Sequence, residues 1–365
     1  MKYPARTIAA VAVVIVGLAS IDQFLARTEM AEVRNSADRS WRQGSLLLRQ
    51  GHADAALDAL RNAHSLARDN VTYELDMIAA LVALGNTDEA DPLMEEVLQR
   101  KPNDGAANLA AARLKVKEGA VKDAEAFYHR AIFGDWTGDT AARRRDARFE
   151  LVQLLADRNS HQEMLAELIS LEAEADTGKD PLRLRIAHLF LVADAPSRAA
   201  SAYRSLIEKN PDDAEAYEGL GEAEMRLGRY PAARAAFVQV SYRDRSRSVA
   251  PRLILLNEVI QLDPTPRRLP TAEKYQRSVR ILALAKGDLE GLLAQHQGSA
   301  TAQTGLLLKY ATDLLASKPH SITNELAEQN LDLAEKIWKE RVALFGVSTE
   351  PGEEALRLTM EHLAS

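Results

Sequence analysis

Apolar side chains recur every three to four positions through most of this chain, which predicts helix after helix with one buried face each. The N-terminus breaks that pattern. Residues 7–21 (TIAAVAVVIVGLASI) carry no charge, Lys2 and Arg6 precede them, and Asp22, Gln23, Phe24 and Leu25 follow. A membrane-crossing helix needs about 20 apolar residues. Residues 7–25 approach that length if Asp22 lies at the interface. A cleaved signal peptide is the rival reading, with Gly17 and Ala19 as small residues at the cleavage site. A buried or interfacial helix is the third. Residues 22–50 hold helix formers, no Pro and only one Gly, so one helix is expected to run unbroken through them. That continuity favours an uncleaved anchor.

Downstream the pattern repeats. Gly51, Gly85 and Gly119 stand 34 residues apart, and so do Ala56, Ala90 and Ala124. Six small residues in one register mark a stacked helical repeat. The chain resembles the tetratricopeptide repeat family, whose unit is a 34-residue helix–turn–helix. The first unit starts near Ala37 and supplies Gly44, Gly51, Ala56, Leu60 and Ala63, with Trp41 one place from the family's aromatic. The second supplies Gly85, Ala90, Met94 and Pro102, and the third Ala112, Gly119, Ala124, Tyr128 and Ala131. Small residues at positions 8 and 20 let the paired helices close up. Gly at 15 ends the first helix without Cβ strain, and Pro at 32 ends the second. Asn103-Asp104 and Asp212-Asp213 are placed to cap the helices that come after them.

The register then slips. Residues 134–146 read GDWTGDTAARRRD, a longer loop before a degenerate fourth unit at about 144–173, with its turn at Asp157-Arg158-Asn159-Ser160. The fifth unit opens at Asp180 (Ala187, Ala199, Tyr203, Pro211). The sixth, from Ala214, matches best: Tyr217, Leu220, Gly221, Gly228, Tyr230, Ala233 and Phe237. Beyond Arg243 one more amphipathic helix is expected at 249–262. The segment DPTPRRLP (263–270) is a stiff turn. A helix at 272–286 should end in an inter-helix turn at Gly287-Asp288, and three more helices are expected at 301–317, 324–345 and 353–363.

The expected fold is therefore all-α, a right-handed superhelical solenoid of helix–turn–helix repeats with one N-terminal transmembrane helix and an irregular helical C-terminal part. Its segments are a tail (1–6), the anchor or signal peptide (7–25), units one to three (26–132), the loop and fourth unit (133–179), units five and six (180–247), and the C-terminal part (248–365).

Composition narrows the function. The net charge of −7 with both signs interspersed argues against wholesale nucleic-acid binding, and the absence of Cys removes disulfides, thiolate metal sites and covalent haem attachment. The eight His show no i,i+4 pair and no His-Glu-x-x-His, and there is neither a Gly-rich phosphate loop nor a Gly-x-Ser-x-Gly elbow. Paired acids such as Glu95-Glu96 and Glu353-Glu354 read as solvated helix faces. No catalytic residue, metal or cofactor is expected.

The family resemblance implies that the first helix of each unit lines a concave groove. Carried over position by position, that groove takes Trp41, Ser45 and Leu48 from the first unit, Leu75, Ala79 and Val82 from the second, and Leu109, Arg113 and Val116 from the third. The fifth gives Leu184, His188 and Leu191, and the sixth Glu215, Glu218, Glu222 and Met225. The groove reads as apolar at its start and acidic near the sixth unit. Packing between repeats is the alternative for each residue. Some family members grip carboxylates with Lys and Asn here. The fifth position reads Trp, Leu, Leu, Leu and Glu in the well-matched units, so that ligand is rejected. Arg143, Arg144, Arg145 and Arg148 form one basic cluster, and Arg243, Arg245 and Arg247 another. Both read as solvated surface or as a contact for anionic lipid or an acidic subunit.

These features imply a non-catalytic scaffold or assembly subunit. It would sit on a bacterial-type inner membrane with the N-terminus cytoplasmic and the repeats outside, and bind a membrane or exported protein partner. A periplasmic chaperone-like factor and an accessory subunit of a membrane enzyme complex are the alternatives.

Overall fold

Strong helix formers punctuated by Gly, Asp and Pro give seventeen α-helices and no strand among the described residues. The structure, a computed structural model, describes residues 4–174, 181–296, 301–347 and 353–364. The side chains of residues 4–14, 16, 17 and 19 lie outside that set. The chain divides into two compact units, residues 1–160 and 161–365.

The first unit holds α1 (Pro4–Arg49), α2 (Ala53–Leu66), α3 (Val71–Leu84), α4 (Thr87–Arg100), α5 (Gly105–Lys117), α6 (Val121–Phe133) and α7 (Thr140–Asp157). Helix α1 is unbroken from Pro4 into the first repeat, in keeping with the lack of Pro after Asp22. Its last turns pair with α2, then α3 pairs with α4 and α5 with α6. Ala56, Ala90 and Ala124 have no solvent exposure. A Cβ on Gly44 would stand 2.6 Å from Leu60 Cγ, so the small residue is what lets α1 and α2 close. Gly51, Gly85 and Gly119 have φ of 83°, 80° and 75°, left-handed geometry that ends each first helix. Asn159 (φ 56°) and Asp194 (φ 50°) hold the same repeat position in the fourth and fifth units. Both are residue types that tolerate this region.

Asp104 accepts a hydrogen bond from Ala107 N at 2.9 Å, and in the second unit Asp213 accepts one from Ala216 N at 3.0 Å. Asp213→Ala is expected to lower stability by about 1 kcal/mol, the usual cost of a lost N-cap, measurable by chemical denaturation.

The loop after α6 is shorter than expected, because α7 starts at Thr140 with Asp139 as its cap. It is pinned rather than loose. Asp135 N donates to Asn103 O (2.8 Å) and Gly105 N to Asp135 O (2.7 Å). The Trp136 indole lies over Gly105, where a Cβ would come within 2.3 Å of the ring, and donates to Ala131 O.

Among the described residues no helix is long and apolar enough to cross a membrane. Most side chains of the segment 7–25 lie outside those residues.

The second unit holds α8 (His161–Glu174), α9 (Pro181–Val192), α10 (Pro196–Lys209), α11 (Ala214–Arg226), α12 (Tyr230–Arg243), α13 (Ala250–Leu262), α14 (Thr271–Gln295), α15 (Ala302–Ala316), α16 (Asn324–Phe345) and α17 (Glu354–Ala364). The expected opening of the fifth unit at Asp180 falls outside the described residues. Helices α9 and α10 form one repeat pair, α11 and α12 the next. Gly221 meets Phe237 as Gly44 meets Leu60: a Cβ there would be 2.8 Å from the ring. The Pro-rich segment after α13 is non-helical, as expected.

One expectation is overturned. Helix α14 runs straight through Gly287-Asp288, the site of the expected inter-helix turn. Ala285 and Leu289 are both buried, so the apolar stripe continues. Asp288 Oδ2 takes a hydrogen bond from Arg341 Nε at 2.8 Å. Arg341 also donates to Glu353 Oε2 at 2.8 Å, just before α17, and to the carbonyl of Gly346 after α16. Burial holds the Asp288 carboxyl above its usual range; Arg341 pulls it down and neighbouring Glu353 pushes it up. Helix α17 packs on α13, and Tyr230 of α12 donates its hydroxyl to Leu358 O at 3.1 Å.

Candidate partner-binding groove

In the first unit the expected groove residues spend most of their surface between repeats. Trp41 stacks on Tyr73 with ring centroids 5.6 Å apart, and its indole donates to Asp76 Oδ2 at 2.8 Å. Tyr73 in turn donates to Asp38. Burial, then that bond, pushes its hydroxyl up to about 12. Leu48 and Leu75 pack against the core of Leu60, Ile78 and Leu81, while Val82 and Leu109 are buried. Ser45 and Ala79 are half-buried. Arg113 forks onto Glu150 of α7 (2.9 and 2.5 Å). Val116 is exposed. The apolar residues expected to meet a partner here are largely used in stacking.

The first basic cluster does not form a shared surface. Arg143 lies over the Trp136 ring at 5.9 Å, Arg144 donates to Gly134 O at 3.0 Å, Arg145 is half-buried, and Arg148 is buried. All four lie within α7, not on a loop.

The second unit is different. Here α9, α11 and the start of α13 enclose a cleft of about 870 Å³. It gathers Leu184, His188 and Leu191 of α9 with Glu215, Glu218 and Glu222 of α11. Met225, expected beside them, is buried in the core instead. The acidic row is not bare. Arg247, on the link between α12 and α13, pairs with Glu218 and lies 3.7 Å from Glu215. Arg252 of α13 stands 3.6 Å from Glu222. Arg226 donates to Leu191 O at 2.7 Å and sits 3.7 Å from Glu222. These side chains are one-third to three-fifths exposed, so each pair contributes at most about 1 kcal/mol. Arg243, from the second cluster, stacks on Tyr217 at 4.3 Å and donates to Pro211 O at 2.5 Å. Only Arg245 of that cluster is exposed without a described partner.

Tyr203 of α10 forms part of the cleft floor. It is 3% exposed and its hydroxyl has no hydrogen-bond partner among the described residues. A Cβ on Gly219 would lie 2.5 Å from that hydroxyl, so the glycine is what admits it to the cleft. Burial first, then Glu215, Glu222 and Glu218, raise the hydroxyl's pKa well above the ordinary phenol range.

The acidic row of α11 is legible in the sequence; Arg247, Arg252 and Tyr203 are not picked out there as parts of the same site. One signal was available. A further 34-residue step from Ala214 reaches Ser248, which places Arg252 at the fifth position of a seventh first helix. Tyr203 carries no such signal, because it belongs to a second helix and reaches the cleft only past Gly219.

Comparison with known proteins agrees with the repeat geometry. Residues 81–133 and 184–248 each match the tetratricopeptide repeat family. No curated protein matches the sequence. Similar solved structures include the C-terminal part of a TPR repeat-containing protein from Cytophaga hutchinsonii, at 12% identity and TM-score 0.44, covering 86% of this chain and 98% of that one. A tetratricopeptide repeat protein from Parabacteroides merdae is 14% identical at TM-score 0.40, covering 89% and 99%. The TPR2AB domain of yeast Sti1 in complex with pHSP90 is 16% identical at TM-score 0.28, covering 90% and 99%. At these scores the assignment rests on the two repeat matches and on the helix pairs themselves. The chain carries tetratricopeptide repeats, and it is all-α among the described residues.

Proposed function

We propose that this chain is a non-catalytic interaction scaffold that holds a segment of a partner protein in the cleft of its second compact unit. The observation that carries the reading is the cleft itself. Three successive first helices, α9, α11 and α13, line one concave space that sets Leu184 and Leu191 beside charged side chains. Such a surface suits an extended or helical segment. Leu184, half-buried on the α9 wall, is the place to test it. Leu184→Glu is expected to abolish co-purification of the partner from a gentle membrane extract while leaving thermal unfolding within a degree or two. An undiminished partner band would refute the cleft as the docking site. One stoichiometric partner supports a scaffold or an accessory subunit of a membrane complex. Weak association with many exported proteins supports a chaperone-like role instead. Turnover by the purified chain alone would overthrow the non-catalytic reading.

The scaffold is also proposed to be tethered to a membrane by residues 7–25, with the repeats outside the cytoplasm. Support comes from the uncharged run 7–21 and from the unbroken helix α1. The tether predicts that the protein resists alkaline extraction from membranes. A mature N-terminus near Ser20 would identify a cleaved signal peptide in its place.

A further inference from the structure

The structure assigns to this cleft a basic ligand: an extended segment carrying Lys or Arg beside an apolar side chain, which displaces Arg247 from the glutamates. The inference rests on the cleft being the partner site.

The two halves of each ion pair are not equally fixed. Glu215, Glu218 and Glu222 stand on α11, short side chains at i, i+3 and i+7 on one face of a packed helix. Arg247 is a long side chain on the irregular link between α12 and α13, where Asp244 and Ser246 form a local turn (Ser246 N to Asp244 Oδ1, 2.9 Å). When a segment enters, the long side chain on the link is free to swing out and the helical carboxylates stay. Arg226 cannot leave as readily, since it is bonded to Leu191 O at 2.7 Å. Arg185 and His188 stand on the opposite wall, so the cleft is acidic along α11 and not throughout.

Tyr203 supplies a second polar group at the site, a hydroxyl that reaches solvent in the cleft. It opens beside Gly219, and Tyr203 is the only tyrosine among the cleft's lining residues. Glu215, Glu222 and Glu218 act on it in the same direction, while Arg185, Arg226, Arg247 and Arg252 line the same cleft. The phenol is protonated at neutral pH and its O–H can donate to a backbone carbonyl of an incoming chain. The apolar contacts of Leu184 and Leu191 then lie beside that backbone. Arg247 therefore acts as a resident stand-in for the ligand's own cation. It screens the glutamates until a better-placed positive charge arrives.

The test uses the purified full-length chain and three fluorescein-labelled twelve-residue peptides of identical apolar spacing, differing only in carrying Lys, Gln or Glu at two positions. Anisotropy titrations are expected to give the Lys peptide at least a ~10-fold lower Kd than the Gln peptide, with the Glu peptide weakest. Arg247→Ala is expected to tighten the Lys peptide by about 3-fold or more, because a competing exposed ion pair has been removed. Glu218→Gln should weaken it by a similar factor. Tyr203→Phe should weaken all three peptides alike, since it removes a backbone contact and no charge. Tighter binding of the Glu peptide, or weaker binding of the Lys peptide by Arg247→Ala, overturns the basic-ligand inference while leaving the cleft as the site. If no peptide binds and none protects α9 and α11 from hydrogen exchange, the cleft reading falls too.

Discussion

Arg341→Ala is expected to destabilise residues 161–365 by about 3–5 kcal/mol, the cost of stranding a buried charge. The arginine side chain is 3% exposed and its Asp288 partner 8%. The guanidinium joins three elements at once: Asp288 in α14, the carbonyl of Gly346 after α16, and Glu353 at the entry to α17. Its removal leaves the Asp288 carboxylate without its cation and frees the approach to α17. Hydrogen exchange monitored segment by segment should show loss of protection in α14, α16 and α17, while α2–α6 are unchanged. A companion variant separates charge from packing. Arg341→Met with Asp288→Leu removes both buried charges, leaves only the part-exposed Glu353 carboxylate without its cation, and is expected to recover most of the lost stability. A double variant as unstable as Arg341→Ala would show that the ion network is not the cause.

Leu60→Ala should cost a comparable amount, about 2–5 kcal/mol, in residues 1–160. Leu60 has no solvent exposure and lies in the core of the first repeats with Ile78 and Leu81. Gly44 is backed directly against it, so truncation opens a void at the closest approach of α1 and α2. The helix backbones are already in contact there and cannot collapse much further. Loss of protection in α2–α4, with α14–α17 unaffected, is the expected readout. A change below about 1 kcal/mol would mean the pair has room to relax. The two substitutions lie in different compact units, so their effects should add within about 0.5 kcal/mol.

The two sites also differ in how visible they are to a reader of the sequence. Gly44 and Leu60 stand at fixed positions of a 34-residue period, and each next unit repeats the evidence. The helix ends at Gly51, Gly85 and Gly119 and the caps at Asp104 and Asp213 are local. Left-handed φ and a two- or three-residue hydrogen bond need nothing beyond neighbouring residues. The partners of Arg341 are 53 residues before it and 12 after it. No period links them, and Gly287-Asp288 reads as a turn for want of that partner.

The sequence by itself determined the helical class, the repeat length, the turn and cap residues, and the slip of register after the third unit. Each is set by backbone geometry or by helix-to-helix distance within one unit, and a short stretch of residues contains all the forces involved. Only the tertiary structure decided how the groove residues are partnered. The groove residues of the first unit were legible, yet many are engaged within the repeats: Trp41 by Tyr73 and Asp76, and Arg113 by Glu150. The acidic row on α11 was legible too, but its pairing with Arg247 and Arg252 was not, nor the bare hydroxyl of Tyr203 beside Gly219. Those depend on which side chains from separate helices arrive at one place, and burial and charge pairing act through space, without regard to separation along the chain.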